Sequence, residues 1–186
     1  EATEGEGYLI VGLSYATAPD GGRQGVSFDE AATARMMKFI QDVRGRVSKD
    51  YGVDQKRVLL TGFSMGGWGT NCYGFRRDAK GLYCGYCIMA AGPQSAPGVD
   101  FGVAAGLPVL LVNGAKDENL AVAKAGKPAL ERAGASVRAV VLPGEGHVPS
   151  LAALCPPLRE WLKAVEKQGA LEKGLPGVDW VDGELA

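Results

Sequence analysis

Short apolar runs alternate along this chain with stretches of helical periodicity, and that alternation leaves few folds open to it. Residues 8–15, 57–61, 86–90, 107–113 and 137–142 are each apolar over a strand's length. Several of these runs are hydrophobic almost throughout, as suits strands buried on both faces of a parallel sheet. Between the first two runs, Phe28, Ala32, Met36, Phe39, Ile40, Val43 and Val47 recur at helical spacing. Ser27-x-x-Glu30 is a capping box that would start this helix, and Gly52 would end it. A second helix is expected from Gly67 to about Arg77, and a third over 120–133, interrupted near Gly126 and Pro128 and closed by Gly134. Pro156 and Pro157 would open a last helix, with Leu158, Trp161, Leu162 and Val165 on its inner face and Gly169 at its end. The pattern predicts an α/β fold: a mostly parallel sheet of about five strands with helices on both faces. It occupies residues 1–168 as one domain, and 169–186 reads as an extended tail.

Composition excludes several classes of function. Twenty basic residues against 21 acidic ones leave a net charge of −1, which is neither the basic footprint of a nucleic-acid binder nor an acidic solvating chain. The 28 glycines follow no G-X-Y period and sit at the ends of apolar runs, as turn and cap residues do. No apolar run reaches the ~18 residues of a membrane span, and Glu1-Ala2-Thr3-Glu4 has no leader-like pattern. Cys84-Gly-Tyr-Cys87 is a C-x-x-C, but it runs into the apolar segment 88–91 with no second pair beside it. Buried core thiols are expected there. No metal or cofactor is implied: the chain has a single histidine and neither a Walker nor a dinucleotide glycine fingerprint.

The chemistry concentrates in Gly62-Phe63-Ser64-Met65-Gly66-Gly67, a G-x-S-x-G. With so much glycine the pattern alone is a modest signal. Its context strengthens it, because it follows an apolar strand and precedes a helix. Small residues at the glycine positions let the backbone turn sharply, and the helix N-terminus faces the turn. The N–H of Met65 would then point at a developing oxyanion. A serine needs a base, and the only histidine, His147, falls just after the fifth predicted strand. An acid must orient the imidazole. Asp117 lies after the fourth predicted strand, with Glu118 as its neighbouring alternative. All three positions come to the same C-terminal sheet edge.

The order Ser64, Asp117, His147 and the stretches 57–67, 108–119 and 142–147 resemble the α/β-hydrolase superfamily. The likeness is to its small carboxylesterases, dienelactone-hydrolase-like proteins and feruloyl or polyester esterases. It implies Ser64 as nucleophile, His147 as general base and then acid, Asp117 as orienter and Met65 as an oxyanion N–H. The implied substrate is a small or polymer-linked carboxylic ester. A serine peptidase of the same fold and a non-catalytic binding domain are the competing readings. Family members also carry a strand and a His-Gly or Gly-Gly loop upstream of the segment resembling 8–15, and that loop supplies a second oxyanion N–H. Nothing in this chain matches it. In the family that strand lies between those resembling 8–15 and 57–61, so its absence would leave a gap near ~10 Å in the sheet. On that ground the chain reads as the C-terminal portion of a longer hydrolase, poorly stable and weakly active by itself. Phe63, Trp68, Tyr15 and Tyr73 either line a pocket or belong to the core. The segment 91–106 is too short for a lid, so an open site is expected.

Overall fold

A computed structural model describes residues 8–13, 29–167 and 178–182. Helix α1, Glu30–Tyr51, starts on Asp29, whose carboxylate accepts the Ala32 N–H at 2.8 Å. The cap is therefore Asp29, and Ser27 lies outside the described residues. The helix ends at Gly52, which takes the left-handed conformation with φ 65°. Strand β1, Leu59–Phe63, leads into helix α2, Met65–Gly69, which continues as a π-turn over Thr70–Gly74. The helical stretch thus stops short of Arg77, where a separate 3₁₀ turn, Arg77–Ala79, begins. Strand β2 is Gly85–Met89, β3 is Pro108–Gly114 and β4 is Ser136–Leu142. Helix α3, Leu120–Arg132, joins β3 to β4, and helix α4, Leu151–Lys167, follows β4.

The sheet is parallel throughout, in the order β1-β2-β3-β4-β5, where β5 is Val178–Asp182. Four of the five expected strands form, and the fifth member comes from a different place. Residues 8–13 have no strand structure, and Tyr8, Leu9, Ile10, Val11 and Leu13 are exposed. An apolar run becomes a strand only against a hydrogen-bonding neighbour, and among the described residues β1 pairs only with β2. Conversely, residues read as part of an extended tail add β5 to the far edge beside β4.

Side chains alternate across the sheet and divide its core in two. Tyr86, Ile88, Val109, Leu111, Val137 and Ala139 face one layer with Met37 and Ile40 of α1 and Leu130 of α3. Cys87, Leu110, Val112, Val140 and Leu142 face the other, against Trp161 and Val165 of α4. Every residue of β3 is buried, as a central strand covered on both faces requires.

Two expectations about proline fail. Helix α3 runs unbroken through Gly126 and Pro128. Gly126 is there for close approach: a Cβ would overlap the Pro93 carbonyl. Pro128 removes one helix hydrogen bond, and the buried packing of Ala123 and Leu130 around it keeps the helix intact. Helix α4 begins at Leu151, before Pro156 and Pro157, because Ser150 caps it: its Oγ accepts the Ala153 N–H at 3.3 Å.

Cys84 and Cys87 are free thiols, as are Cys72 and Cys155. Cys84 stands just before β2 and Cys87 within it, and no disulfide joins them. Burial pushes the Cys84 thiol up and the Cys87 thiol up to about 12. Neither is therefore expected to react with a disulfide reagent at neutral pH until the chain is unfolded with urea. Thiol counts with and without urea check this.

Candidate active site

Ser64 occupies the single residue between β1 and α2. Its backbone has φ 53° and ψ −116°, a conformation that costs a non-glycine residue on the order of 1–3 kcal/mol. The surroundings hold it there. Its N–H donates to the Met89 carbonyl at 2.8 Å, and its carbonyl accepts the Trp68 N–H at 3.1 Å. A side chain at Gly62 would collide with the Gly66 carbonyl, so the turn closes only with glycine at that position. Met65 is the first residue of α2, and its N–H is one of the helix-start donors that have no partner within a helix.

His147 reaches this turn from the connection between β4 and α4. Its Nε2 lies 2.7 Å from Ser64 Oγ, and its Nδ1 lies 3.0 Å from Asp117 Oδ1. The three side chains form one hydrogen-bonded line across the C-terminal ends of β1, β3 and β4. Asp117, rather than the exposed Glu118, is the acid that meets the ring. Its carboxylate is fully buried while the imidazole is about one-third exposed.

A buried carboxylate needs donors. Asp117 Oδ1 also accepts the Asn119 N–H at 2.9 Å, and Oδ2 faces the Asn113 amide at 3.4 Å. Both asparagines continue to the end of β2. Asn113 Nδ2 donates to the Ala91 carbonyl at 3.2 Å and Asn119 Nδ2 to the Ala90 carbonyl at 3.0 Å. Ala90 has φ 50°, so this segment too is held in a strained turn. Sequence reasoning singled out neither asparagine. The available signal was a polar residue ending the apolar run 107–113. Asn113→Leu is expected to cost about 1–3 kcal/mol in urea unfolding, because it strands two buried acceptors.

Two glycine and loop features complete the site. Gly114, at the end of β3, lies against the carbonyls of Glu145 and Gly146, with no room for a Cβ. The Ala115 N–H donates to the Leu142 carbonyl at 2.9 Å and the Lys116 N–H to that of Glu145 at 2.8 Å, so the Asp117 and His147 loops are tied backbone to backbone. Of the aromatic residues considered for a pocket, Tyr73 is buried and Trp68 packs against the same core layer. Phe63 is exposed beside the site, its ring centroid 5.6 Å from that of His147. Tyr15 lies outside the described residues. A cavity of about 740 Å³ lies elsewhere, lined by Arg76, Arg77, Asp78 and residues 98–101. Among the described residues no three His, Cys, Asp or Glu side chains converge as metal ligands, and no helix is long and apolar enough to cross a membrane.

A parallel sheet covered on both faces, with a serine on a strained strand-to-helix turn, is the architecture of the α/β-hydrolases, and solved structures of that class superpose on it. A carboxylesterase from Mesorhizobium loti matches with a TM-score of 0.63 at 20% identity, over 78% of this chain and 70% of that one. A Bacillus cereus carboxylesterase matches with 0.57 at 21% identity, over 73% and 63%. SOBER1 of Arabidopsis thaliana matches with 0.56 at 20% identity, over 73% and 66%. The chain thus spans about two thirds of the length of SOBER1 and of the Bacillus cereus enzyme. No protein-family model and no curated protein sequence matches it. The fold is that of the α/β-hydrolases.

Proposed function

We propose that this chain is a serine hydrolase that cleaves carboxylic esters through an acyl-enzyme on Ser64. The observation that carries the reading is the unbroken line from Ser64 Oγ to His147 at 2.7 Å and from His147 to Asp117 at 3.0 Å. A base within hydrogen-bond reach of a hydroxyl, itself oriented by a buried carboxylate, is the arrangement that makes serine nucleophilic. The carboxylesterase structures of similar fold support the ester as the substrate class.

His147 Nε2 takes the Ser64 proton as Oγ attacks the ester carbonyl carbon, and the carbonyl oxygen becomes an oxyanion. The Met65 N–H, at the positive end of α2, stabilises that charge. The tetrahedral adduct collapses, the C–O bond to the alcohol breaks, and His147 returns the proton to the leaving oxygen. Water then gives a proton to Nε2 and attacks the acyl carbon. The second collapse releases the carboxylic acid and restores the Ser64 hydroxyl. Asp117 holds the Nδ1 proton throughout and stabilises the imidazolium without taking that proton.

The test is covalent capture. A fluorophosphonate probe should label the folded chain at Ser64 alone, and p-nitrophenyl acetate should be turned over. Folded protein that stays unlabelled would overturn the reading in favour of a binding domain. Turnover of matched amides at rates approaching those of the esters would replace it with a peptidase, because an amide is the intrinsically less reactive substrate.

A further inference from the structure

The imidazole of His147 depends on a loop with little support of its own. The connection 143–150 is fixed near its start, where the Glu145 carbonyl accepts the Lys116 N–H at 2.8 Å and the chain lies against Gly114. From residue 146 to residue 149 no backbone group hydrogen-bonds to another described residue. One side chain closes the span instead. The Glu145 carboxylate accepts the Ser150 N–H at 2.8 Å through Oε2 and the Ser150 hydroxyl at 2.7 Å through Oε1. Ser150 Oγ also accepts the Ala153 N–H, so the clasp joins the loop to the first turn of α4. The bonds from Ser150, backbone first and then side chain, hold the Glu145 carboxyl below the usual carboxylate range. Both bonds are therefore charge-assisted at neutral pH, the stronger kind.

We propose that Glu145 is a positioning residue for the reaction assigned to Ser64: its clasp on Ser150 closes the loop 145–150 and holds the His147 ring where Nε2 meets Ser64 Oγ. The inference rests on the serine-hydrolase reading and adds a residue outside its reacting groups. The ring itself is about one-third exposed, and Phe63 covers it on one side. Its place is thus set by two hydrogen bonds and by the path of the backbone beneath it. Opening the clasp frees the torsions of residues 146–149, and misplacing a catalytic group by ~1 Å can cost ~10²-fold in rate.

The test compares the parent chain with Glu145→Ala, Glu145→Gln and Ser150→Ala. The readouts are the rate of fluorophosphonate reaction, kcat and KM on p-nitrophenyl acetate, the melting temperature, and the imidazole NMR signals. Because the chain has a single histidine, those signals belong to residue 147 without assignment. Glu145→Ala should slow acylation about 10- to 100-fold through kcat, with KM and melting temperature little changed. Glu145→Gln should fall between it and the parent, because the amide oxygen keeps one acceptor for Ser150. Ser150→Ala removes one of the two clasp bonds and also the cap on Ala153. Its melting temperature should therefore fall, while its rate at temperatures where it is folded falls less than that of Glu145→Ala. Read in that way, it carries the test if Glu145→Ala fails to fold. Parent-like rates and unchanged imidazole signals in the folded variants would overturn the proposal, as would rate losses that only track the loss of folded protein. A folded parent that never reacts would overturn the serine-hydrolase reading instead. The imidazole signals then still decide the clasp: they shift on Glu145→Ala if it holds the ring and stay in place if it does not.

Discussion

Replacing Ser64 by alanine is expected to lower ester hydrolysis by ~10⁴–10⁶-fold and to abolish fluorophosphonate labelling, while the chain stays folded. The more informative partner is Ser64→Gly. At most positions glycine destabilises relative to alanine by ~0.5–1 kcal/mol, because its unfolded state is more disordered. Here the order should reverse. The native φ of 53° with ψ −116° strains any residue that carries a Cβ. Ser64→Ala keeps that strain and Ser64→Gly releases it. With on the order of 1–3 kcal/mol of strain against less than 1 kcal/mol of added entropy, Ser64→Gly should be the more stable of the two by about 1 kcal/mol. Urea unfolding of the two variants measures the difference directly. If Ser64→Ala is the more stable, the turn is not strained as described. In that case the chain gives up no stability to hold Ser64 in this turn.

The second large effect is expected at Gly114. A methyl group there would overlap the carbonyls of Glu145 and Gly146 and come within 2.7 Å of the Glu145 carbonyl carbon. These are backbone atoms, so no side-chain rotation relieves the clash. Gly114→Ala must push the His147 loop away from the end of β3, which carries the Asp117 loop. The expected cost is about 1–3 kcal/mol of stability, as for overpacking elsewhere. The loss of acylation rate should be larger, ~10²-fold, because the Nδ1 bond to Asp117 and the Nε2 bond to Ser64 both depend on where that loop sits. Gly146→Ala is the control: a Cβ there meets nothing within 4 Å. It should leave both stability and rate close to those of the parent. Equal effects from the two substitutions would show that the loop is merely sensitive to side chains and that the close approach at Gly114 is not what aligns it.

The elements read most easily from the sequence are those whose signal is local. β2, β3 and β4 are apolar runs bounded by turn residues, and α1 carries a long helical periodicity ending in glycine. Hydrophobic pattern and capping need only neighbours along the chain. Ser64, Asp117 and His147 were legible for a related reason. Each follows a recognisable strand, and parallel topology sends the C-terminal end of every strand to one edge.

Three features could not be read in that way, because each depends on groups distant in the sequence. Residues 8–13 have strand composition, yet they find no partner strand among the described residues, whereas 178–182 finds β4. Pro128 carries a local stop signal and Pro156 and Pro157 a local start signal, and packing overrules the first and the Ser150 cap the second. Asn113, Asn119, Gly114 and Glu145 carry no motif, and their roles exist only where three loops meet. The sequence by itself therefore determined the layering of strand and helix and the three residues offered for catalysis, since both follow from periodicity and chain order. Only the tertiary structure decided which segments pair at the sheet's edges and what holds the imidazole in line, because hydrogen bonds and excluded volume act between neighbours in space.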